Sequence, residues 1–274
     1  MDGGRIRAMT WNIWWRFGPR WTERQPGLLE TIRRFNPDVL ALQEVWGDKE
    51  SSQAEQIADA FGGSAAYAEP SYPAVPEPPR TQDDEGVTLG VGLVSRWPIT
   101  ARRVEQLPAR HRSWSPVALA ASIDHPAGPL HVVVSCLEHG IPYSDDRLAQ
   151  AAFLAELATR PELDGPCPVL VMGDLNAAPD SAVLRPLREV LIDAWSAGGG
   201  DPRAVTLPSS HPSAPLEAGP ELVDQRIDHI FFRAGQEDQH VLVEGAALGG
   251  EAVDGVFPSD HRAVICDFRW KDIR

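Results

Sequence analysis

The chain has 274 residues, of which 43% are apolar and 23% charged, a composition typical of a globular protein and not of a disordered or fibrous one. Its net charge of −14, with no run of basic residues, disfavours long nucleic acid as a partner, because nonspecific polyanion binders gather lysine and arginine against phosphate. No apolar stretch reaches the ~18 residues of a membrane span, and the N-terminus lacks the pattern of a signal peptide, so we expect a cytoplasmic protein that does not enter membranes.

Short apolar and β-branched runs alternate with helical stretches along the chain. Strands are predicted, in chain order, at residues 7–14, 39–45, 87–95, 117–123, 130–137, 169–172, 227–232, 241–244 and 263–268. Helices are predicted at residues 25–35, 52–61, 144–159 and 181–190, and loops at residues 69–86, 196–203 and 207–220. Because the strands and helices do not alternate strictly, the pattern predicts an α/β fold with mixed sheet, as one domain over residues 1–274, and leaves open whether one sheet or two are present.

Two polar residues lie within the first two predicted strands. Asn12 stands in MTWNIWW among apolar and aromatic residues, where a buried amide needs hydrogen-bond partners. Glu44 comes at the end of the apolar run LALQEVW, and carboxylate oxygens suit hard cations such as Mg²⁺ or Mn²⁺. Each has a plainer interpretation, since Asn12 is also typical of a structural amide and Glu44 of a solvated strand end.

The segment GDLNAAPDS follows the predicted buried strand PVLVM. Asp174 and Asn176 are two residues apart, and in an extended chain residues at that spacing point to the same side. A carboxylate and an amide would then converge at the C-terminal end of a strand, where sites are common. Glycine, aspartate, asparagine and proline are also typical of turns, so the segment by itself indicates either a site or a turn.

The last third of the chain carries two further acidic signals. Asp228 interrupts the apolar run RIDHIFF, and a buried carboxylate there needs a partner such as an imidazole. In SDHRAV, Asp260 and His261 precede an apolar strand, and histidine is a frequent acid or base near neutral pH. Adjacent residues seldom bond to each other in a strand, so we expect each to serve a different partner. An exposed strand face and a polar loop are the alternatives.

The order of these motifs is more specific than any one of them. TWN, LQE, SRWPI, GDLN, RIDHI and SDH follow one another as in the endonuclease/exonuclease/phosphatase superfamily, which the chain resembles from about residue 9 to residue 268. The resemblance implies a DNase I-like fold, a four-layered α/β sandwich in which two packed mixed β-sheets are flanked by helices. It also implies a metal-dependent phosphoesterase whose site lies at one edge of the sheets.

The resemblance assigns three residues to a metal site. Glu44 matches the principal metal-binding carboxylate, and Asn12 matches the amide that supports the metal. Asp260 matches a residue that contributes to the metal site or orients the catalytic histidine. The implied cofactor is Mg²⁺ or Mn²⁺, which would neutralise charge on the phosphoester and polarise it.

Four further residues match the catalytic groups of the family. Asp174 matches the residue that positions or deprotonates the attacking water, and Asn176 matches the amide that holds the phosphate and nucleophile. His261 matches the histidine that contacts the phosphate or acts as acid–base, and Asp228 the carboxylate that pairs with it. We expect in-line attack by water on a phosphomonoester or phosphodiester, with a small soluble substrate favoured over long nucleic acid and the protein acting as a monomer. A nuclease, and a non-catalytic binding protein on the same scaffold, are the alternatives.

One position departs from the family pattern. Family members usually carry a triplet such as Thr-His-Leu where this chain reads VVVSCLEHG, so that Cys136, a weak hydrogen-bond donor, takes the place of the phosphate-facing residue. His139 is the candidate replacement, with an exposed loop residue as the alternative. Arg147, on the next helix, is a candidate for substrate contact, with a solvated helix face as the alternative. Aromatic residues after the first strand are candidates for lining the substrate pocket, with packing as the alternative; they are Trp14, Trp15, Phe17 and Trp21.

Overall fold

Two six-stranded β-sheets pack face to face in the computed structural model, which describes residues 4–16, 18–69, 86–112, 114–211 and 222–272. The first sheet contains, in spatial order, β11 (Gln239–Gly249), β12 (Ala263–Asp272), β1 (Arg5–Asn12), β2 (Val39–Gly47), β4 (Thr88–Ser95) and β3 (Ser64–Ala68). The second contains β5 (Ile99–Gln106), β6 (Val117–His125), β7 (Gly128–Cys136), β8 (Val169–Asp174), β10 (Asp228–Arg233) and β9 (Ile192–Asp193). Phe17 and most of the predicted loops at residues 69–86 and 207–220 lie outside the described residues.

Both sheets are mixed. In the first, β1 and β2 are parallel and β1 and β12 antiparallel. In the second, β7 and β8 are parallel and β8 and β10 antiparallel. The four-layered sandwich that the resemblance implies is therefore confirmed, and the question that periodicity left open is answered by two sheets.

Helices cover the outer face of each sheet. They are α1 (Trp21–Phe35) and α2 (Gln53–Phe61) on the first sheet, and α3 (Ser144–Ala158) and α4 (Arg185–Val190) on the second, with the single turn α5 (Ala194–Ala197) beside β10. Alternate residues of strand β2 pack against different layers. Val39 and Ala41 pack in the core between the sheets, while Leu40 and Leu42 pack under the helices. Because both faces are covered, the strand has a continuous apolar sequence and not an alternating one.

Most predicted elements are present with shifted ends. The helix predicted at residues 52–61 begins with a capping box, in which Ser52 Oγ accepts from the amide of Glu55 and the Glu55 carboxylate accepts from the amide of Ser52. The helix predicted at residues 181–190 is wrong in its first turn, which is a 3-10 turn at Ala182–Leu184. Within the described helices, none is long and apolar enough to span a membrane.

Four elements are absent from the sequence prediction. Strand β5, ITARRVEQ, is an exposed edge strand rich in arginine, and this is how edge strands avoid pairing with other chains. It was not predicted because its apolar alternation is lost at that edge. Strands β3 and β9 and helix α5 are also additional, and α5 begins before the loop predicted at residues 196–203.

Candidate active site

One edge of the sandwich gathers strand ends from both sheets. Asn12 ends β1, Asp174 ends β8, and Glu44 lies near the end of β2. Since β8 and β10 are antiparallel, the first residue of β10, Asp228, lies directly opposite Asp174. His261 lies two residues before β12, which runs antiparallel to β1. The topology therefore brings these five residues, far apart in the chain, to the same edge.

Asn12 joins carboxylates from the two sheets. Its Nδ2 donates to Glu44 Oε1 at 2.9 Å and to Asp174 Oδ2 at 3.1 Å. Its Oδ1 accepts from the amide of Trp14 at 3.0 Å. Asn12 therefore holds the two carboxylates in one orientation, as expected for the supporting role that the resemblance implies.

Glu44 occupies a strained position. Its φ is 58°, at a β-bulge in β2 between Gln43 and Val45, and a non-glycine residue in the left-handed region costs about 1–3 kcal/mol. The bulge turns the carboxylate to the site edge, where Oε2 accepts from the amide of Trp15 at 3.0 Å. Strain of this kind is concentrated at functional sites, because the surrounding structure must hold the residue there.

Asp260 lies close enough to Glu44 to be perturbed by it. Burial, the largest effect, and the charge of Glu44 raise the pKa of Asp260 to about 6, while the charge of His261 opposes the rise. Two partly buried carboxylates that repel each other are stabilised by a cation between them, and an all-oxygen donor set is what Mg²⁺ and Mn²⁺ prefer. Glu44 and Asp260 therefore fit the implied metal.

His261 and Asp228 form a buried pair. Nδ1 of His261 lies 2.9 Å from Asp228 Oδ2, and the carboxylate is 0% exposed. Burial, the largest single effect, lowers the pKa of His261, but the charge and hydrogen bond of Asp228, together with the charges of Asp174 and Asp260, raise it well above 6.5. The raised pKa favours the protonated imidazole, in which Nδ1–H donates to Asp228 and Nε2 lies 3.9 Å from Asp174 Oδ2.

Asp174, Asp228 and His261 also have side-chain atoms within 4.8 Å of one another, a grouping that is compatible with a metal ion. A protonated imidazole has no lone pair to give to a metal. The raised pKa of His261 therefore disfavours it as a metal ligand, and the Glu44–Asp260 pair is the second candidate position for a cation.

Asp174 and Asn176 are joined by a hydrogen bond, but the extended backbone predicted from their spacing is absent. Asn176 has a φ of 47°, so the chain turns after β8 and does not stay extended, and its main-chain amide donates to Asp174 Oδ1 at 3.0 Å. Its side-chain Nδ2 donates to Leu137 O at 3.0 Å. The segment is thus both a turn and part of the site. Burial, the largest effect, and the charge of Asp228 raise the pKa of Asp174 to about 7.

Cys136, where the chain departs from the family pattern, lies beneath the candidate site. Cys136 is paired in register with Asp174 and is fully buried in the core between the sheets. His139 lies in the loop after β7; its side chain is 39% exposed, and Nδ1 is 3.8 Å from Glu138 Oε1. Burial, the largest effect, lowers the pKa of His139. The replacement of the phosphate-facing residue by His139 stays a prediction.

Two predicted substrate contacts have different surroundings from those expected. Arg147 is 6% exposed, and its Nη1 donates to the carbonyl oxygens of Glu138 and Gly140. It is therefore not the solvated helix-face residue that the sequence allows, and it holds the loop after β7 instead of facing solvent. Trp14 is 9% exposed, and the guanidinium of Arg24 lies 4.5 Å from its ring centroid; its contact with substrate stays a prediction.

Several supporting residues were not identified from the sequence. Buried Arg24 donates to the carbonyl oxygens of residues 13, 14, 15, 19 and 258, and so braces the loop whose Trp15 amide binds Glu44. Burial lowers the pKa of Arg24 to about 10, which leaves it charged at neutral pH. Ser259 Oγ donates to Asn12 O at 2.7 Å and accepts from the amide of His261. The only sequence signal for Ser259 is its position next to Asp260.

Comparison with known proteins finds a matching family and relatives. The model of the endonuclease/exonuclease/phosphatase family matches residues 9–261. Tyrosyl-DNA phosphodiesterase 2 of Xenopus tropicalis is 25% identical over 272 residues, which cover 97% of this chain and 67% of that protein. Nocturnin of Xenopus laevis is 24% identical over 272 residues, covering 92% and 66%. The chain spans about two thirds of the length of these relatives.

Solved structures share the architecture. The catalytic domain of human nocturnin with bound sulfate has a TM-score of 0.72 at 22% identity, over 99% of this chain and 97% of that one. D. rerio TDP2 in complex with a single-strand DNA product has a TM-score of 0.73 at 19% identity, over 97% and 99%. At these identities the likeness establishes the fold.

Proposed function

The chain belongs to the endonuclease/exonuclease/phosphatase family, and from that premise we propose that it is a divalent-metal-dependent phosphodiesterase that uses water as its nucleophile. The observation that carries the proposal is one hydrogen-bonded constellation. It joins a carboxylate with a pKa near neutrality, a protonated imidazole and a pair of acidic side chains suited to a cation. Each is a group that hydrolysis of a phosphoester requires.

Asp174 is our candidate for the general base. A base works best when its pKa is close to the working pH, and burial brings the pKa of this carboxyl to about 7. Its Oδ1 accepts from the amide of Asn176 and its Oδ2 from Asn12, so the carboxylate is fixed in one orientation. It can receive a proton from a water held in line with the leaving group.

His261 and Asn176 are our candidates for binding the phosphoryl oxygens. In its protonated form, which the raised pKa favours, His261 donates Nδ1–H to Asp228 and keeps Nε2–H for the phosphate. Asn176 uses one N–H of its side-chain amide on Leu137 O, and the proposal assigns its second N–H to the phosphate. Fixed donors of this kind stabilise the charge that develops in the transition state without reorganisation.

Glu44 and Asp260 would hold the cation. When bound, Mg²⁺ or Mn²⁺ supplies positive charge that neutralises the phosphoester and polarises its oxygens. Asn12 keeps Glu44 in place, and Ser259 ties the turn that carries Asp260 to the end of β1. These contacts fix the ligands before a metal binds.

The substrate is the least constrained part of the proposal. The net charge favours a small substrate, but the relatives do not support that preference, since one is named for tyrosyl-DNA phosphodiesterase activity and one related structure contains a single-strand DNA product. We therefore propose phosphodiesters as the class, with the ends of single-stranded DNA as the second candidate beside small diesters. Action in the cytoplasm and as a monomer stay predictions.

The test compares wild type with Asp174→Ala and His261→Ala in Mg²⁺ and in Mn²⁺. The panel contains small phosphodiesters and phosphomonoesters, 5′-tyrosyl single-stranded DNA, and unmodified single- and double-stranded DNA and RNA. We expect metal-stimulated cleavage of a diester by wild type and loss of turnover in both variants, with unfolding still cooperative. Exposed Asp180→Ala is the matched control and should keep full activity. No metal-stimulated cleavage of any substrate, or wild-type activity in either variant, would contradict the proposal.

A further inference from the structure

Two buried side chains, Arg226 and His229, and the partly buried Asp193 form a connected chain outside the site. Nη2 of Arg226 donates to Asp193 Oδ2 at 2.7 Å, and Nη1 of the same guanidinium lies 2.9 Å from Nδ1 of His229. Nε2 of His229 lies 2.9 Å from the carbonyl oxygen of Ala177. The guanidinium of Arg226 is thus connected through the imidazole of His229 to the carbonyl oxygen of Ala177.

The partners of His229 fix its tautomer. The carbonyl of Ala177 can only accept, so Nε2 must carry the hydrogen, and the guanidinium of Arg226 can only donate, so Nδ1 must be the acceptor. The ring is therefore neutral and held at both nitrogens. Burial, the largest effect, and the charge of Arg226 lower the pKa of His229 to about 4, which agrees with this geometry. Asp193 balances the charge of Arg226.

His229 holds the far end of the turn that carries two proposed site residues. Ala177 follows Asn176, whose left-handed φ of 47° turns the chain out of the direction of β8. The near end is held by the Leu175 amide, which donates to Ile227 O at 2.9 Å. With His229 bonded to Ala177 O, the turn is held on both sides by the chain around the start of β10.

The two neighbouring residues of β10 serve opposite faces of the strand. Adjacent residues in a strand point to opposite sides. Asp228 points to the site and pairs with His261, while His229 points to the helix-covered face, where its ring stacks with Phe231 at 5.6 Å. One short segment can therefore position both the imidazolium and the turn that carries Asn176.

We propose that His229, oriented by Arg226 and Asp193, is a positioning residue that sets the geometry of Asp174 and Asn176 for phosphoester hydrolysis. The inference rests on the proposed function for its catalytic readout. The histidine of the RIDHI motif does not contact substrate, since its ring is fully buried behind the turn; positioning is the role that we assign to it.

The first test separates positioning from bulk stability. His229→Phe keeps an aromatic ring but cannot donate to Ala177 O, whereas His229→Gln retains a side-chain donor. We expect His229→Phe to lower kcat about 10- to 100-fold, with little change in KM or in the affinity for Mn²⁺ alone measured by calorimetry, and His229→Gln to recover most of the loss. The matched control is His125→Phe, since His125 is a buried histidine at the opposite end of the β6–β7 pair from the site.

The second readout does not need activity. In metal-free protein, amide hydrogen exchange of Asn176 should be at least about 10-fold faster in His229→Phe than in wild type or His125→Phe, because the turn loses one anchor. A fall in thermal stability equal to that of His125→Phe, with kcat and Asn176 exchange both unchanged, would overturn the proposal. If wild type hydrolyses no phosphoester, the proposed function fails, and the positioning role is decided by the exchange measurement alone.

Discussion

Replacing Asp174 by asparagine should stabilise the protein at alkaline pH while it abolishes turnover. The pKa of this carboxyl is about 7 in the folded protein against 3.8 ordinarily, so the folded state holds its proton between those pH values and the unfolded state does not. Stability therefore falls as pH rises from 3.8 to about 7. At roughly 1.4 kcal/mol for each pH unit, the loss is about 4 kcal/mol at pH 8.

An asparagine at position 174 avoids that loss but gives up one contact. Its oxygen can still accept from the amide of Asn176, while its NH₂ group would face the NH₂ group of Asn12, which now donates to Asp174 Oδ2. Losing that hydrogen bond costs about 1 kcal/mol, which leaves a net gain of about 3 kcal/mol at pH 8 and none near pH 4.

Urea unfolding in EDTA at pH 4, 6 and 8 measures this difference without interference from bound cations. The free energy of unfolding of Asp174→Asn relative to wild type should increase steadily with pH across the window. Exposed Asp180→Asn is the control and should show no such trend. If Asp174→Asn is destabilised by the same amount at every pH, the carboxyl is not held with a raised pKa and the general-base assignment loses its physical support.

Three further changes test the other groups of the site. Glu44→Gln should lower Mn²⁺ affinity by at least about 10-fold in calorimetry, because a proposed ligand loses its charge; unchanged affinity would place the metal elsewhere. Asp228→Asn should lower the pKa of His261, followed by NMR, by about 1–3 pH units, and should reduce the stability that this histidine contributes, which is fully present below pH 6.5 and lost as pH rises through its folded pKa. Arg24→Lys should weaken Mn²⁺ binding with cooperative unfolding retained, since lysine cannot reach the several carbonyl oxygens that the guanidinium holds; wild-type affinity would show that the loop needs no such brace.

Local chemistry made much of the fold predictable. The capping box at Ser52 and Glu55 marks the start of α2 in the sequence itself. The run VLAL at residues 39–42 is apolar throughout because β2 is covered on both faces, and that pattern predicts a buried strand. Strand β5 was missed since its exposed, arginine-rich sequence is set by its edge position, which is a property of the whole sheet.

The sequence by itself determined which residue types carry the chemistry, because each motif ends or begins a strand and the family order selects them. What only the tertiary structure decided is how they are oriented. The left-handed backbone at Glu44 and Asn176, the use of Asn12 as a donor to two carboxylates, and the link from His229 to Ala177 all depend on partners distant in the chain. Hydrogen bonds and charge interactions between such partners fix tautomers, pKa values and strained turns, and no local pattern contains them.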